Sequence, residues 1–257
     1  MTPGGSTTPK PRRLGEVRGP LVVWLVVAAY FAVTVPLGAS SASALPQQLT
    51  AGLVLRLLVA IAIGWGPVLV LLIVFVWRTE RRKSVHETFS ALGFKKEGSG
   101  RSLLWSVALF PVYAVIGLLS LMVASYAAPP SGGGPIPSWY PYYAVLYSFF
   151  PVAVVEEAFG RGYLLDRMMP AHPSGLVQAA PALLLSSLLF TLYHLPAYLV
   201  LYSFSPTRTA LLLAGNVFPL SVVLGVAYVR ARVRNVAGPV FIHFLLDSLP
   251  YVLFAIL

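Results

Sequence analysis

Seven runs of about 20 apolar residues follow one another along the chain, with polar connections between them. The runs cover residues 20–39, 53–77, 102–126, 140–159, 177–201, 209–229 and 237–257. A helix needs about 20 apolar residues to cross the hydrocarbon core of a bilayer. The pattern therefore predicts an all-α fold, a polytopic membrane helix bundle of seven transmembrane helices, with an eighth short helix as the alternative in the connection 78–101.

The composition indicates the same class of protein. Of the 257 residues, 58% are hydrophobic and 10% are charged, whereas about 25% of the residues in a typical soluble domain are charged. Cysteine is absent, which excludes disulfides, thiolate metal ligands and a thiol nucleophile. Any metal ion would therefore have to bind histidine and carboxylate side chains.

The net charge of +10 predicts the orientation of the chain. Basic residues cluster before the first run, between the second and third runs, after the fourth run and after the sixth run. Because cytoplasmic loops carry an excess of Lys and Arg, we expect a cytoplasmic N-terminus and a multi-pass protein of the cell membrane. No nucleic-acid motif accompanies these charges, so the predicted partner is the lipid bilayer and not nucleic acid.

Two polar regions interrupt the apolar pattern of the N-terminal half. Residues 1–19 combine Gly, Pro, Ser, Thr and basic residues, a composition that predicts a disordered basic cytoplasmic tail. Residues 20–139 are predicted to form the N-terminal transmembrane helices, with a basic cytoplasmic loop at 78–101. Apolar residues within that loop predict a short amphipathic segment at the membrane interface, with a solvated loop as the alternative; they are Phe89, Leu92 and Phe94.

Five ionisable residues lie inside the membrane-length runs of the C-terminal half. They are Glu156, Glu157, His194, His243 and Asp247. A charged side chain in the middle of a bilayer costs roughly 2.5 to 3.5 kcal/mol on insertion scales, so such residues usually face the protein interior and mark a functional site. We therefore expect a site that handles water, protons or a metal ion within the membrane.

The spacing of the acidic residues separates two roles. Glu157 and Arg161 are four residues apart and share a helix face, so Arg161 is predicted to neutralise Glu157. Glu156 points in another direction and has no local cation. A desolvated carboxylate has an increased affinity for protons, so Glu156 is the candidate general base.

The two later runs supply imidazoles. His194 stands just before Pro196, which is expected to bend its helix, and His243 shares a helix face with Asp247, four residues later. Each feature also has a simpler structural interpretation. A lone histidine commonly forms a hydrogen bond within a packed core, and the two members of a His–Asp or Glu–Arg pair can bind each other without any further function. The presence of all of them in three of the last four runs favours a shared site.

These residues together resemble a known family. Their order is Glu156-Glu157-x-x-x-Arg161, then Phe190-x-x-x-His194, then His243-x-x-x-Asp247. It is similar to that of the CPBP intramembrane proteases, the CAAX-processing and bacteriocin-self-immunity group that includes the type II CAAX prenyl endopeptidases. The resemblance extends over residues 140–257 and implies that this part is a catalytic membrane domain.

The resemblance also implies a role for each catalytic residue. Glu156 would activate the attacking water, and Glu157 would be a second required carboxylate. His194 would hold or polarise the water, and His243 with Asp247 would stabilise the oxyanion. Three further residues in or beside the motifs are expected to support the site, namely Arg161, Phe190 and Tyr193.

Two positions depart from the family pattern. Gly160 replaces a residue that is often aromatic, which affects helix packing, and Asp247 replaces a residue that is often Asn. An ionised Asp cannot donate a hydrogen bond to an oxyanion, so Asp247 would be protonated, orient His243 or bind a metal ion. A zinc shell is one candidate, formed by Glu156, His194, His243 and Asp247; a metal-free glutamate mechanism is the alternative.

The predicted function is an intramembrane endopeptidase that hydrolyses peptide bonds of membrane-associated peptides or proteins, prenylated ones included, with water activated by Glu and His. One alternative is a non-catalytic membrane scaffold or immunity factor of the same architecture. Another is a proton-coupled carrier, because buried Glu, His and Asp also suit proton relays. The sequence contains no internal repeat of the kind that builds many transporters, which argues against the carrier.

Overall fold

A computed structural model describes residues 18–40, 50–127, 139–170, 175–201 and 205–256, together with Gln48 and Pro173. These residues form helices and their connections, with no strand among them. The all-α class predicted from the sequence is therefore confirmed. The predicted tail lies outside the described residues as far as residue 17, and the first helix begins at Arg18.

We number ten helices within these ranges. They are α1 Arg18–Ser40, α2 Ala51–Thr79, α3 Val85–Ala91, α4 Ser99–Ala108, α5 Phe110–Ala127, α6 at 140–168, α7 Leu176–Tyr193, α8 Leu195–Leu201, α9 Pro206–Ala231 and α10 Ala237–Ile256.

Four of the described helices are long and apolar enough to cross a membrane, namely α1, α2, α7 and α9. A fifth span is present if α4 and α5, which meet at a bend of 47°, count as one. These five correspond to predicted runs and make the protein multi-pass. The remaining two runs coincide with α6 and α10, which carry acidic and histidine side chains. The total of seven transmembrane helices stays a prediction.

The predicted run 177–201 is broken at His194. Helix α7 ends at Tyr193, and α8 begins at Leu195 with Pro196 as its second residue. Proline fits the first turn of a helix because its missing N–H has no partner to lose there. The bend expected near Pro196 is thus a full break, and it places the His194 ring at a helix junction.

Helix α6 contains two stretches of wide, π-helical turns. The first, Ser148–Val154, surrounds Pro151, whose missing N–H interrupts the regular hydrogen bonding. The second is Ala158–Leu165, and the short α-helical turn Val155–Glu157 lies between them. Glu156 and Glu157 therefore occupy a point where the helical register changes twice, and such bulges are frequent at functional sites.

The basic connection 78–101 packs onto the bundle. Ser84 caps α3 by accepting a hydrogen bond from the Glu87 N–H at 3.1 Å, and Leu92 is fully buried. The side-chain amide of Asn235 donates to the carbonyls of Lys95 and Glu97, at 2.6 and 3.1 Å. Part of this connection is therefore held against α6 and α10 by apolar burial and hydrogen bonds.

The main core surrounds the middle of α6. Residues 155–166 of this helix are all buried, and the largest cluster packs α1, α2 and α7 around them. The indole N–H of Trp24 on α1 donates to the Leu189 carbonyl on α7 at 2.7 Å. The acidic pair therefore lies at the centre of the bundle, surrounded by apolar helices.

Gly162 on α6 allows the closest approach to the connection, because a Cβ added there would lie 2.0 Å from the Leu92 carbonyl oxygen. Backbone cannot move aside as a side chain can, so we expect Gly162→Ala to destabilise the protein by about 1 to 3 kcal/mol. Gly117→Ala on α5 is the matched control, since a Cβ there would meet no atom of the described residues within 4 Å. Thermal unfolding in detergent measures both, and equal midpoints for the two variants would contradict this packing.

Candidate active site

Glu156 lies between the two imidazoles. Its carboxylate is buried, and its Oε2 lies 3.4 Å from Nε2 of His194 and 3.7 Å from Nε2 of His243. These separations are too short for a water molecule to lie between the groups, so a water shared by them has to lie on their cavity side. The helices that supply them, α6, α10 and the α7–α8 junction, are distant in sequence, so the site is built entirely by tertiary packing.

The His194 ring is oriented by its own helix. Its Nδ1 lies 2.8 Å from the Phe190 carbonyl oxygen, and because a carbonyl only accepts, Nδ1 carries the hydrogen. In the neutral ring Nε2 then presents its lone pair towards Glu156. The Tyr193 ring lies against the imidazole, with centroids 4.2 Å apart, which restricts ring rotation further.

The His243 ring is oriented by a second carboxylate. Its Nδ1 donates to Glu157 Oε1 at 2.7 Å, and its Nε2 faces Asp247 Oδ2 at 3.4 Å. The side chain of Asp247 is 39% exposed, so water can solvate its charge. Both imidazoles thus use Nδ1 for orientation and direct Nε2 towards Glu156.

Glu157 and Arg161 form the ion pair predicted from their spacing. Arg161 Nη1 donates to Glu157 Oε1 at 2.9 Å, with 2% and 0% of the side chains exposed. Arg161 Nη2 donates to both the carbonyl and the hydroxyl oxygen of Ser221, at 3.0 Å each. The guanidinium carbon also lies 4.4 Å from the centroid of the Phe190 ring, so its charge is satisfied on three sides.

Gly160 allows this arrangement. A Cβ at that position would lie 2.8 Å from Cδ2 of Phe190, so any larger residue would displace the ring. The departure from the aromatic residue that is often found here thus has a packing explanation, since the Phe190 ring occupies the space beside α6.

A cavity of about 380 Å³ is lined by five of the predicted residues, Glu156, Phe190, His194, His243 and Asp247. Glu157 and Arg161 are not among the described residues that line it, so they contribute to the site only through the side chains that they contact. Sequence reasoning missed several lining residues, because no local spacing identifies them; they include Trp65, Tyr147, Tyr198, Asn216 and Ser221. The indole of Trp65 donates to the Tyr147 hydroxyl at 3.0 Å.

Two other cavities are larger, about 710 Å³ each, but neither is lined by a predicted site residue. Their linings include several arginines and polar groups. Both cavities are lined by residues that precede or follow membrane-length helices, such as Arg82 and Arg232. The 380 Å³ cavity is therefore the candidate active site.

The fit of the predicted zinc shell can be judged from the side-chain donors. Both imidazoles have the outer hydrogen bond at Nδ1 that zinc-binding histidines normally make. Nevertheless, among the residues that the structure describes, no three His, Asp or Glu side chains are arranged to hold a metal ion. As placed, the four donors do not form the shell expected from the sequence.

Comparison with family models gives one match, to the type II CAAX prenyl endopeptidase Rce1-like family, over residues 137–249. That segment contains all three motifs and the whole of the oriented imidazole and carboxylate set. Residues 137–249 belong to the CPBP/CAAX protease family. Comparisons of the chain with curated proteins and with solved structures gave no match. This CPBP segment, residues 137–249, is thus similar to CAAX-type membrane endopeptidases, which supports protease activity at the level of the family.

Removal of the Arg161 charge should strongly destabilise the CPBP segment. Because Arg161→Met leaves the buried Glu157 carboxylate without its cation, we expect a loss of about 3 to 5 kcal/mol. In the double variant Glu157→Gln with Arg161→Met, part of this loss should be recovered. Thermal unfolding in detergent measures the effects, with Arg101→Ala as an exposed control. An Arg161→Met midpoint equal to that of Arg101→Ala would contradict the role of the ion pair.

Proposed function

We propose that this protein is an intramembrane endopeptidase in which Glu156 activates the attacking water. The observation that supports this most is the position of the Glu156 carboxylate, which lines a buried cavity between two imidazole Nε2 atoms at 3.4 and 3.7 Å. A carboxylate in the wall of a cavity can accept a proton from a water molecule bound beside it. The arrangement is suited to hydrolysis.

In the proposed reaction, a water molecule donates one hydrogen bond to Glu156 and the other to the Nε2 lone pair of His194. Glu156 takes a proton as the water oxygen bonds to the peptide carbonyl carbon, and the carbonyl oxygen becomes an oxyanion. The C–N bond then breaks as Glu156 returns the proton to the leaving nitrogen. The products are a carboxylic acid and an amine, and transfer of the acid proton to the amine gives a carboxylate and an ammonium group.

Glu157 and Arg161 act in this scheme by orienting His243. The hydrogen bond from Nδ1 to Glu157 fixes the ring, and Arg161 Nη1 holds the same carboxylate oxygen in place. Protonation of Nε2 would then give an imidazolium whose N–H can stabilise the oxyanion. We therefore assign Glu157 to positioning, and Glu156 to the chemical step.

The proposed substrate is a membrane-associated peptide or protein that reaches the cavity as an extended segment. Aromatic and aliphatic side chains form much of the cavity wall, Phe190 and Leu246 among them, so an apolar substrate side chain fits it. The matched family cleaves prenylated CAAX sequences by its description, and we include prenylated proteins of the cell membrane among the candidates. A scaffold or immunity factor of the same fold would bind such a partner without cleaving it.

Replacement of Glu156 by Gln tests the proposal, because Gln has the same shape but cannot accept the proton. Purified protein in liposomes is mixed with a solubilised membrane proteome of the host, and newly formed protein N-termini are labelled and identified by mass spectrometry. We expect wild-type protein to generate new N-termini, and Glu156→Gln to lower their yield by at least about 10²-fold, the lower end for loss of general base catalysis.

An exposed substitution provides the control for this comparison. Arg101→Ala lies on the surface of α4, remote from the cavity lining, and should release the same new N-termini as wild type. Identical N-termini from wild-type protein and Glu156→Gln, with both folded, would reject the peptidase and favour the scaffold. Proton or solute uptake into the liposomes without cleavage would instead favour the carrier.

The dependence of cleavage on a metal ion is tested by a separate measurement. Since the donors as placed do not hold a metal ion, we propose the metal-free glutamate mechanism and expect cleavage to persist in a strong chelator. Metal content of the purified protein is measured by elemental analysis beside the chelator assay. One zinc per chain, lost together with activity and restored by added zinc, would contradict this mechanism and support the shell of Glu156, His194, His243 and Asp247.

A further inference from the structure

The imidazole and carboxylate groups of the candidate site offer few hydrogen-bond donors for an oxyanion. Asp247 accepts hydrogen bonds when ionised, and His194 Nδ1 is engaged by the Phe190 carbonyl. Nε2 of His243 is the remaining imidazole donor, and it faces two carboxylates, Asp247 at 3.4 Å and Glu156 at 3.7 Å. A carboxylate attracts the same proton that an oxyanion needs, so a neutral donor on another wall would complete the site.

Asn216 is such a donor. It lies on α9, whose other residues that line the cavity are Val217, Leu220, Ser221 and Leu224. It is the only Asn or Gln among the described residues that line the cavity. A primary amide has two N–H donors and remains uncharged, so it does not compete with the carboxylates for protons.

The local backbone presents this amide in an unusual way. Asn216 belongs to the wide turn Leu213–Val217, the π-helical stretch of α9, and such turns are frequent at functional sites. Its Oδ1 is buried and has no hydrogen-bond partner among the residues that the structure describes. An unpartnered buried polar atom costs about 1 to 3 kcal/mol, and a ligand that supplies the missing N–H would remove that cost.

We propose that Asn216 binds the backbone of the substrate beside the scissile bond. Its amide N–H donates to the peptide carbonyl oxygen, where negative charge develops, and its Oδ1 accepts an N–H of the same extended strand. One amide can pair with a peptide backbone in both directions because each presents a donor and an acceptor. Asn216 then supplies, from α9, the neutral donor that Asp247 cannot supply from α10.

This inference rests on the proposed function, and its experiment uses a quenched fluorogenic peptide that spans a junction cleaved by wild-type protein. Asn216→Asp retains the shape and the acceptor oxygen but loses the donors. We expect its kcat to fall by about 10²- to 10³-fold, the effect of removing one oxyanion donor, while KM stays within about threefold. Asn216→Ala loses the acceptor as well, so its KM should also rise.

Two further variants distinguish a role of Asn216 in substrate binding from a role in protein packing. Asn216→Gln keeps the amide and should retain more activity than Asn216→Asp, by about tenfold or more. Ala214→Ser changes an exposed residue of the same wide turn and should leave kcat, KM and the unfolding midpoint unchanged. A purely structural role would lower the unfolding midpoint of every Asn216 variant without separating kcat from KM.

The outcomes of these experiments separate the role of Asn216 from the proposed peptidase function. Cleavage by Asn216→Asp and Asn216→Ala within about threefold of wild type would overturn the role of Asn216 and leave the peptidase intact. Unfolding of all three Asn216 variants would also overturn it, in favour of a packing role. No cleavage that depends on Glu156 would reject the proposed function, and this inference with it.

Discussion

The buried ion pair between Glu157 and Arg161 is the interaction on which the rest of the site depends. Both side chains are almost fully excluded from solvent, and breaking such a pair is strongly destabilising because one charge is left without a partner. Arg161 reaches Ser221 on α9 and the Phe190 ring on α7, and Glu157 holds His243 on α10. Formation of the pair therefore joins α6 to three other helices in one geometry.

The same pair explains why two adjacent glutamates differ. Glu157 has its charge neutralised by Arg161 and its Oε1 directed at fixed partners, while Glu156 faces the cavity and two imidazoles. A wide turn on each side of Val155–Glu157 and the absence of a side chain at Gly160 and Gly162 allow α6 to be packed this closely. One carboxylate can then orient a ring, and the other can accept a proton.

Much of this was predictable from local spacing. An α-helix places residues four apart on one face, so the pairing of Glu157 with Arg161, the divergence of Glu156 and the proximity of His243 to Asp247 follow from the order of the residues. The apolar runs likewise predicted an all-helical, multi-pass protein, because the length of a membrane helix is set by bilayer thickness. Three ordered motifs also identified the family that the model match supports.

By itself, then, the sequence determined the helical class, the membrane setting, the ion pair and the residues that belong together. Only the tertiary structure decided that His194 stands at a break between helices, that Ser221 satisfies Arg161, and that Asn216 and Trp65 line the same cavity as Glu156. Such contacts join residues far apart in the chain. They depend on how each helix is rotated and how deeply it lies against its neighbours, which the periodicity of a single helix does not specify.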